Sequence, residues 1–354
     1  MADRPESAGR RRFIRYASVA AVATQALLRS GSVRAAWFEA READARGLPW
    51  PRMAYRTLGR TGFEASRLIF GCGASLSARP RDDLLETAFD AGVNVYDVGY
   101  KHYYDDAEKH LGPFARRRRD DIFLISKAIV PGDIGPDDEP SAAQLRRAAD
   151  GWSALLDESL AELGVDHVDA YYLMASNNPR VVASEEIHRA FERARDAGKV
   201  SYLGLSTHQN AERVLAAAVD TGRFDLAMVA ITPGGWYDWE TREVLPGSPP
   251  MKDLRPQLDR ARAAGIGLIG MKAGRYLAGR QWLGWGNPDA FDRYYDRRLL
   301  EAGLSPFQRS YAFVLEHGLD AVNADIQAFS HLRENFVAAA TSASLFDSDG
   351  ERLG

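Results

Sequence analysis

Cysteine is almost missing. One thiol, Cys72, occurs in 354 residues, which excludes a disulfide within the chain and any four-cysteine metal or iron–sulfur site. Charge of one sign is missing too: the net charge of −4 offers no general pull toward nucleic acid or an anionic membrane surface, and no nucleic-acid partner is expected. Lysine is scarce and the basic residues are mostly arginine, so a lysine at the end of an apolar run stands out. No Gly-x-Gly-x-x-Gly opens a first helix, which argues against an open doubly wound dinucleotide fold. The seven histidines are scattered, and His102 with His110 lacks the one-turn spacing of a helical metal pair, so no metal site is expected.

The N-terminal residues read as an address. Arg10-Arg-Arg-Phe-Ile-Arg15 carries a twin-arginine pattern, Tyr16–Leu28 is mildly apolar and alanine-rich, and Val33-Arg-Ala35 resembles a small-residue cleavage site. The apolar stretch is short of the roughly 20 residues that span a bilayer, so no stable membrane insertion is expected. Residues 1–35 are thus expected to be a twin-arginine signal peptide, with the twin-arginine export machinery as a partner and a periplasmic or otherwise exported destination. The alternative is a basic helical tail that stays in the cytoplasm. Residues 36–53 read as a charged linker through Pro49-Trp-Pro51, and residues 346–354 as a C-terminal tail.

Between them, residues 54–345 alternate short apolar runs with amphipathic segments. The strands are expected at Leu68–Gly71, Val93–Tyr96, Ile122–Ser126, Val168–Leu173, Tyr202–Leu205, Leu226–Ile231, Gly267–Met271 and Ala321–Ala324. The helices are expected at Asp82–Ala91, Asp105–Arg118, Ser141–Leu163, Glu185–Ala197, Ala211–Thr221, Leu254–Ala264, Pro306–His317 and Ser330–Ala340. Eight such units predict a closed (β/α)8 TIM barrel forming a single domain. Long loops follow strands 6 and 7, at Thr232–Lys252 and Ala273–Gly303. They carry Trp236, Tyr237, Trp239, Trp282 and Trp285, as lids or pocket walls do.

Two of these runs end in charge. Asn94-Val-Tyr-Asp97 ends in a carboxylate, followed by the tyrosine-rich Gly99–Asp105, and Ile122-Phe-Leu-Ile-Ser-Lys127 ends in an ammonium. In a barrel of parallel strands both emerge at the C-terminal face, where chemistry is done. A phenol has a pKa near 10 and is a poor acid at neutral pH, whereas a nearby ammonium favours its ionised form. The bland alternative is a salt bridge closing the barrel mouth.

Several segments together resemble the aldo/keto reductase family. They are Tyr55-Arg-Thr-Leu-Gly-Arg-Thr-Gly62, Leu155–Leu173, Ala197–Ser206, Ala264-Gly-Ile-Gly-Leu-Ile-Gly-Met-Lys272 and Glu334-Asn335. The resemblance covers about Tyr55 to Ala340. It implies a barrel that binds NADP or NAD across its C-terminal face and passes hydride to the carbonyl of a small-molecule substrate, sugar-like given the aromatic mouth. A tyrosine would donate the proton. Asp97 matches the family's catalytic aspartate and Lys127 its lysine. Counting forward from Asp97 puts the acid at His102. Aligning backward from Asp106–Gly112 puts it at Tyr104, with Tyr103 one step away; Tyr104 is preferred because a loop absorbs an insertion cheaply.

Other positions depart from the family pattern. Met174 stands where the family has histidine, and a thioether cannot donate a hydrogen bond; Asn177 or His102 are the stand-ins to consider. On the cofactor side, Gly73 (with Gly71), Ser206, Lys272, Glu334 and Asn335 match. Thr207, Met228 and Ile231 replace the more common asparagine, glutamine and tyrosine. The clamp for a 2′-phosphate becomes Asp325, Ile326 and His331, so weak preference for the 2′-phosphate, leaning toward NAD, is expected; the alternative is that Asp325 points away and Gln327 or Arg333 substitutes. Besides an exported oxidoreductase, two readings compete: a catalytically degenerate binding protein on the same scaffold, and a redox-neutral lyase or epimerase using Lys127 and a tyrosine.

Overall fold

The barrel strands are mostly short apolar runs, and each finds two parallel neighbours. The computed structural model describes residues 47, 49–278 and 286–346. The chain divides between Pro49 and Trp50, and every element below lies beyond that point. The strands are β1 (Leu68–Gly71), β2 (Val95–Asp97), β3 (Phe123–Ile129), β4 (Val168–Met174), β5 (Val200–Thr207), β6 (Leu226–Thr232), β7 (Gly267–Met271) and β8 (Ala321–Asp325). Their order is 6-7-8-1-2-3-4-5, and β5 pairs with β6 to close the ring. The intervening helices are α1 (Asp82–Asp90), α2 (Ala107–Arg117), α3 (Ala142–Leu163), α4 (Glu185–Asp196), α5 (Ala211–Thr221), α6 (Arg255–Ala263), α7 (Pro306–Glu316) and α8 (Phe329–Thr341). Among the described residues this is the (β/α)8 barrel that the alternation predicts.

Local chemistry sets the element ends. Ser141 and Ser305 close capping boxes with Gln144 and Gln308 at the starts of α3 and α7. The second strand starts two residues later than its apolar run suggests. The Val93 N–H closes onto Ala88 O at the end of α1, and the Asn94 N–H turns to Ser66 Oγ while its carbonyl accepts the Phe123 N–H, so regular pairing begins at Val95. The third runs three residues further, through Lys127, whose charge finds a partner inside the barrel mouth.

Inside the ring, Ile69, Val95, Phe123, Ile125, Tyr172, Leu226 and Ile269 form one buried cluster. A hairpin of Tyr55–Thr57 and Glu64–Ser66 accompanies the N-terminal end, and its turn residue Leu58 joins the core from below. The residues after β6 are not loose. Gly235–Asp238 folds back antiparallel on β6 and pairs with Glu243–Val244, burying Trp236 and Tyr237. That segment is a built wall. Of the loop after β7, residues 279–285, with Trp282 and Trp285, lie outside the described residues. So do the twin-arginine pattern, the expected cleavage site and the tail beyond Phe346. Among the described residues no helix is long and apolar enough to cross a membrane, and no three His, Cys, Asp or Glu side chains are gathered to hold a metal ion.

Candidate functional site

Asp97 is the last residue of β2, and Lys127 projects inward from β3 beside it. Both are almost fully buried. Lys127 Nζ donates to Asp97 Oδ2 at 2.5 Å and to Val98 O at 2.6 Å. From the other side, Asn323 Nδ2 on β8 donates to the same carboxylate oxygen at 2.6 Å. Asp97 Oδ1 is buried without a partner. Burial raises the Asp97 pKa, with Lys127 and Asn323 pulling against it. Asn323 was not singled out from sequence. Its signal was an amide at an inward position within the apolar run Ala321–Ala324, in step with Ala321.

The three candidate acids separate cleanly. Lys101–Tyr104 forms a single helical turn, and Asp105 then takes φ 50° to leave it. His102 faces outward to Glu158 Oε2 at 2.8 Å, and Tyr103 is 52% exposed. Tyr104 is half-buried, and its ring lies in a slot between Gly73 and Gly99. A Cβ at Gly73 would come within 2.3 Å of that ring, and one at Gly99 within 2.9 Å. Lys127 Nζ stands 5.6 Å from the ring centre. Gly73 therefore has a reason to be glycine that the sequence did not reveal: the ring of Tyr104 fills the space.

The electrostatic expectation for this phenol needs correction. Lys127 was expected to make it more acidic. Burial is instead the largest influence and raises its pKa well above the ordinary value, with Asp325 and Asp97 adding in the same direction. The phenol stays protonated at neutral pH. The single cysteine, Cys72, is buried nearby, and burial pushes its thiol pKa up as well, which leaves it unreactive.

The remaining expected residues lie around the rim. Ser206 Oγ at the end of β5 accepts the Ala175 N–H at 3.2 Å, and Ser206 O accepts the Ser176 N–H at 2.8 Å, which ties the ends of β4 and β5 together. Met174 and Asn177 line a cleft of about 540 Å³ with Ile129 and Asp138. Met228 touches Asn323 through sulfur at 3.3 Å. Lys272 follows β7 with φ 67°, and its Nζ lies 4.4 Å from the ring centre of Trp239. Arg242 and Arg275 approach the same ring at 5.8 and 5.9 Å. None of these three cations forms an ion pair among the described residues, and burial lowers the Lys272 pKa. Trp239 was noticed only as an aromatic in a long loop, and the arginines gave no sequence signal.

Glu334 and Asn335 sit on α8, away from the Asp97 cluster in the chain. Glu334 accepts from Ser305 Oγ at 2.6 Å at the start of α7, and Asn335 is buried. Of the three clamp positions, Asp325 is exposed at the end of β8. Ile326 is fully buried and accepts a hydrogen bond from Ser75, and His331 is exposed on α8.

Comparisons with known proteins agree with this geometry. The model of the aldo/keto reductase family matches residues 68–244. A voltage-gated potassium channel subunit beta of Oryza sativa is 30% identical over 181 residues, 49% of this chain and 52% of that protein. The oxidoreductase YrpG of Bacillus subtilis is 30% identical over 247 residues, 64% of this chain and 71% of that one. The chain spans about half the length of the first of these relatives. Among solved structures, the thermostable aldo-keto reductase Tm1743 superposes with a TM-score of 0.56 at 22% identity, covering 81% of this chain and 94% of that one, a likeness of fold.

Proposed function

The chain belongs to the aldo/keto reductase family, and from that premise we propose that it is a nicotinamide-dependent oxidoreductase interconverting a carbonyl and an alcohol on a small, sugar-like molecule. The observation that carries this reading is the convergence of Tyr104, Lys127 and Asp97 at the C-terminal mouth of the barrel. A protonated phenol there is in the right form to give its proton to a carbonyl oxygen as the carbonyl carbon accepts hydride. The Lys127 ammonium then stabilises the phenolate that remains, and Asp97 and Val98 O hold the ammonium in place.

The residues present fit a dinucleotide. Lys272, Arg242 and Arg275 surround Trp239 and form no ion pair among the described residues, a donor set suited to a pyrophosphate. When bound, the nicotinamide supplies or accepts the hydride; the chain's part is to bind and orient it and to handle the proton. Ser206, Lys272, Glu334 and Asn335 are the proposed contacts, with Gly73 shaping the floor under Tyr104. Asp325 at the rim repels a 2′-phosphate, so NAD is the favoured cofactor. Tryptophan fluorescence titrated with NADH and NADPH tests both points: tighter NADH binding is expected, and a clear preference for NADPH contradicts the assignment of Asp325.

Met174 favours a second reading, a binding protein on this scaffold that holds the cofactor without turning over. Consumption of NADH with a panel of aldehydes, ketones and sugars separates the two: turnover supports the oxidoreductase, and tight cofactor with no turnover supports the binding protein. Export by the twin-arginine route, read from Arg10–Arg15, is a further proposal; changing Arg11 and Arg12 to lysine is expected to keep the protein in the cytoplasm.

A further inference from the structure

A carbonyl being reduced gathers negative charge on its oxygen, and a second donor opposite the acid stabilises that charge. Tyr104 is one donor. On the β4 side the mouth offers Met174, whose sulfur donates nothing. One strand over, two residues beyond Ser206, stands His208. Five of the seven histidines have a ring nitrogen bonded to a protein partner: His102 to Glu158, His110 to Leu76 O, His167 to Ser201, His188 to Val182 O and His317 to Phe313 O. His331 lies exposed on α8. His208 is half-buried, and its ring nitrogens have no hydrogen-bond partner among the described residues.

Its setting is the C-terminal rim of the barrel, just past the end of β5. His208 opens into a cavity of about 430 Å³ with Ala175, Gln209, Trp239, Glu240 and Arg242, and its ring centre is 6.0 Å from that of Trp239. Ala175, the residue after Met174, borders this cavity and is bonded to Ser206, so the β4 and β5 ends meet here. Resting on the reductase reading above, we propose that His208 is a catalytic residue: a neutral imidazole that donates a hydrogen bond to the substrate carbonyl oxygen opposite Tyr104, taking the place left empty by Met174.

The surrounding charges suit that role. Burial first, then Lys272 and Lys127, push the His208 pKa down to about 3, with Asp238 opposing them. The ring is therefore neutral at working pH and always has one N–H to give. Asn177 shares a cleft with Met174, Ile129 and Asp138, and Ala175 is the wall between that cleft and the cavity of His208, so Asn177 is the competing donor that the test must separate.

The test uses the full chain with NADH and para-nitrobenzaldehyde, followed by nicotinamide absorbance, and cofactor affinity followed by fluorescence. His208→Ala is expected to lower kcat/KM by about 100-fold while cofactor Kd stays within about twofold. His208→Gln, which keeps a donor and guards against misfolding of the alanine variant, is expected to lose about tenfold or less. Adding Met174→His to His208→Ala is expected to recover about tenfold or more, which a merely structural role for His208 would not allow. Turnover by the wild type with His208→Ala unimpaired, or a loss seen in Asn177→Ala instead, overturns the inference and leaves the reductase reading standing. Absence of turnover in the wild type removes both.

Discussion

The two ends of the barrel are made from the same strands and treat polar groups in opposite ways. At the N-terminal end nearly every group is satisfied. Asp169, Asp225 and Asp320 each accept a backbone N–H from the neighbouring strand, from Leu124, Leu203 and Leu268 at 2.7, 2.9 and 2.7 Å. Arg67, 3% exposed, pairs with Glu316 and also donates to the carbonyls of Leu315, Leu319 and Asp320. At the C-terminal end, among the described residues, Asp97 Oδ1 is orphaned, the His208 ring is unbonded and Lys272, Arg242 and Arg275 form no ion pair.

Backbone strain divides the same way. The six non-glycine residues with positive φ among the described residues are Asp105, Asp133, Ala175, Asn210, Arg242 and Lys272, and all lie in loops leaving C-terminal strand ends. The turns at the other end use glycine, as at Gly164 and Gly222, where an αL conformation costs no Cβ clash. Satisfied polar groups and unstrained turns build stability. Unsatisfied groups and strained turns persist only where something else requires them.

That contrast predicts that mutations at the two ends break different properties. Lys127→Met at the mouth is expected to lower kcat/KM by about 1,000-fold or more. Its cost in stability should be smaller than that of the Arg67 variant, because the Asp97 carboxyl, its pKa already raised by burial, takes up a proton rather than remaining charged. Steady-state rates and urea unfolding together read both. Arg67→Met at the opposite end should do the reverse, removing about 3 kcal/mol or more of stability by stranding Glu316 while kcat/KM stays within about twofold. A large rate loss in Arg67→Met would erase the distinction.

Acid sharpens it further, because a histidine kept neutral chiefly by burial sits at each end. His208 is held at about 3 and His317 at about 4, both chiefly by burial. The unfolded chain takes up these protons near pH 6.5 and the folded chain does not, so their contribution is complete above that pH and is lost as the pH falls toward about 4 for His317 and about 3 for His208. Between pH 7 and pH 5, His208→Gln should remove between about 1 and 2 kcal/mol of the pH dependence of unfolding. An unchanged dependence would mean that the imidazole is not sheltered. The smallest effect is in the turns. Gly222→Ala, with open space around it, should cost about 1 kcal/mol from conformation alone, whereas Ala175→Gly, at φ 52°, should be neutral or slightly stabilising. Equal losses at both positions would remove strain from the comparison.

The barrel was legible because its strands are apolar runs and its turns are marked by glycine or aspartate, which are local signals. Asp97 and Lys127 were legible because charge at the end of an apolar strand is rare. The choice among His102, Tyr103 and Tyr104 depended on which way one helical turn faces, and spacing alone does not fix that. The sign of the Tyr104 shift was misjudged because burial and Asp325, far off in sequence, outweigh the lysine that motif reading placed nearby. Asn323, Arg242, Arg275 and His208 became visible only when β8 and the segments after β5, β6 and β7 were brought to one rim.

The central claim is that the mouth transfers hydride to a carbonyl with Tyr104 as the proton donor. Single-turnover reaction of prebound deuterated NADH with para-nitrobenzaldehyde, in wild type and Tyr104→Phe, tests it most directly. The account predicts a primary isotope effect in the wild type, and in the variant unchanged cofactor affinity with a hydride-transfer rate lower by about 100-fold or more. Equal rates in the two proteins, or a chain that binds no nicotinamide, would contradict it.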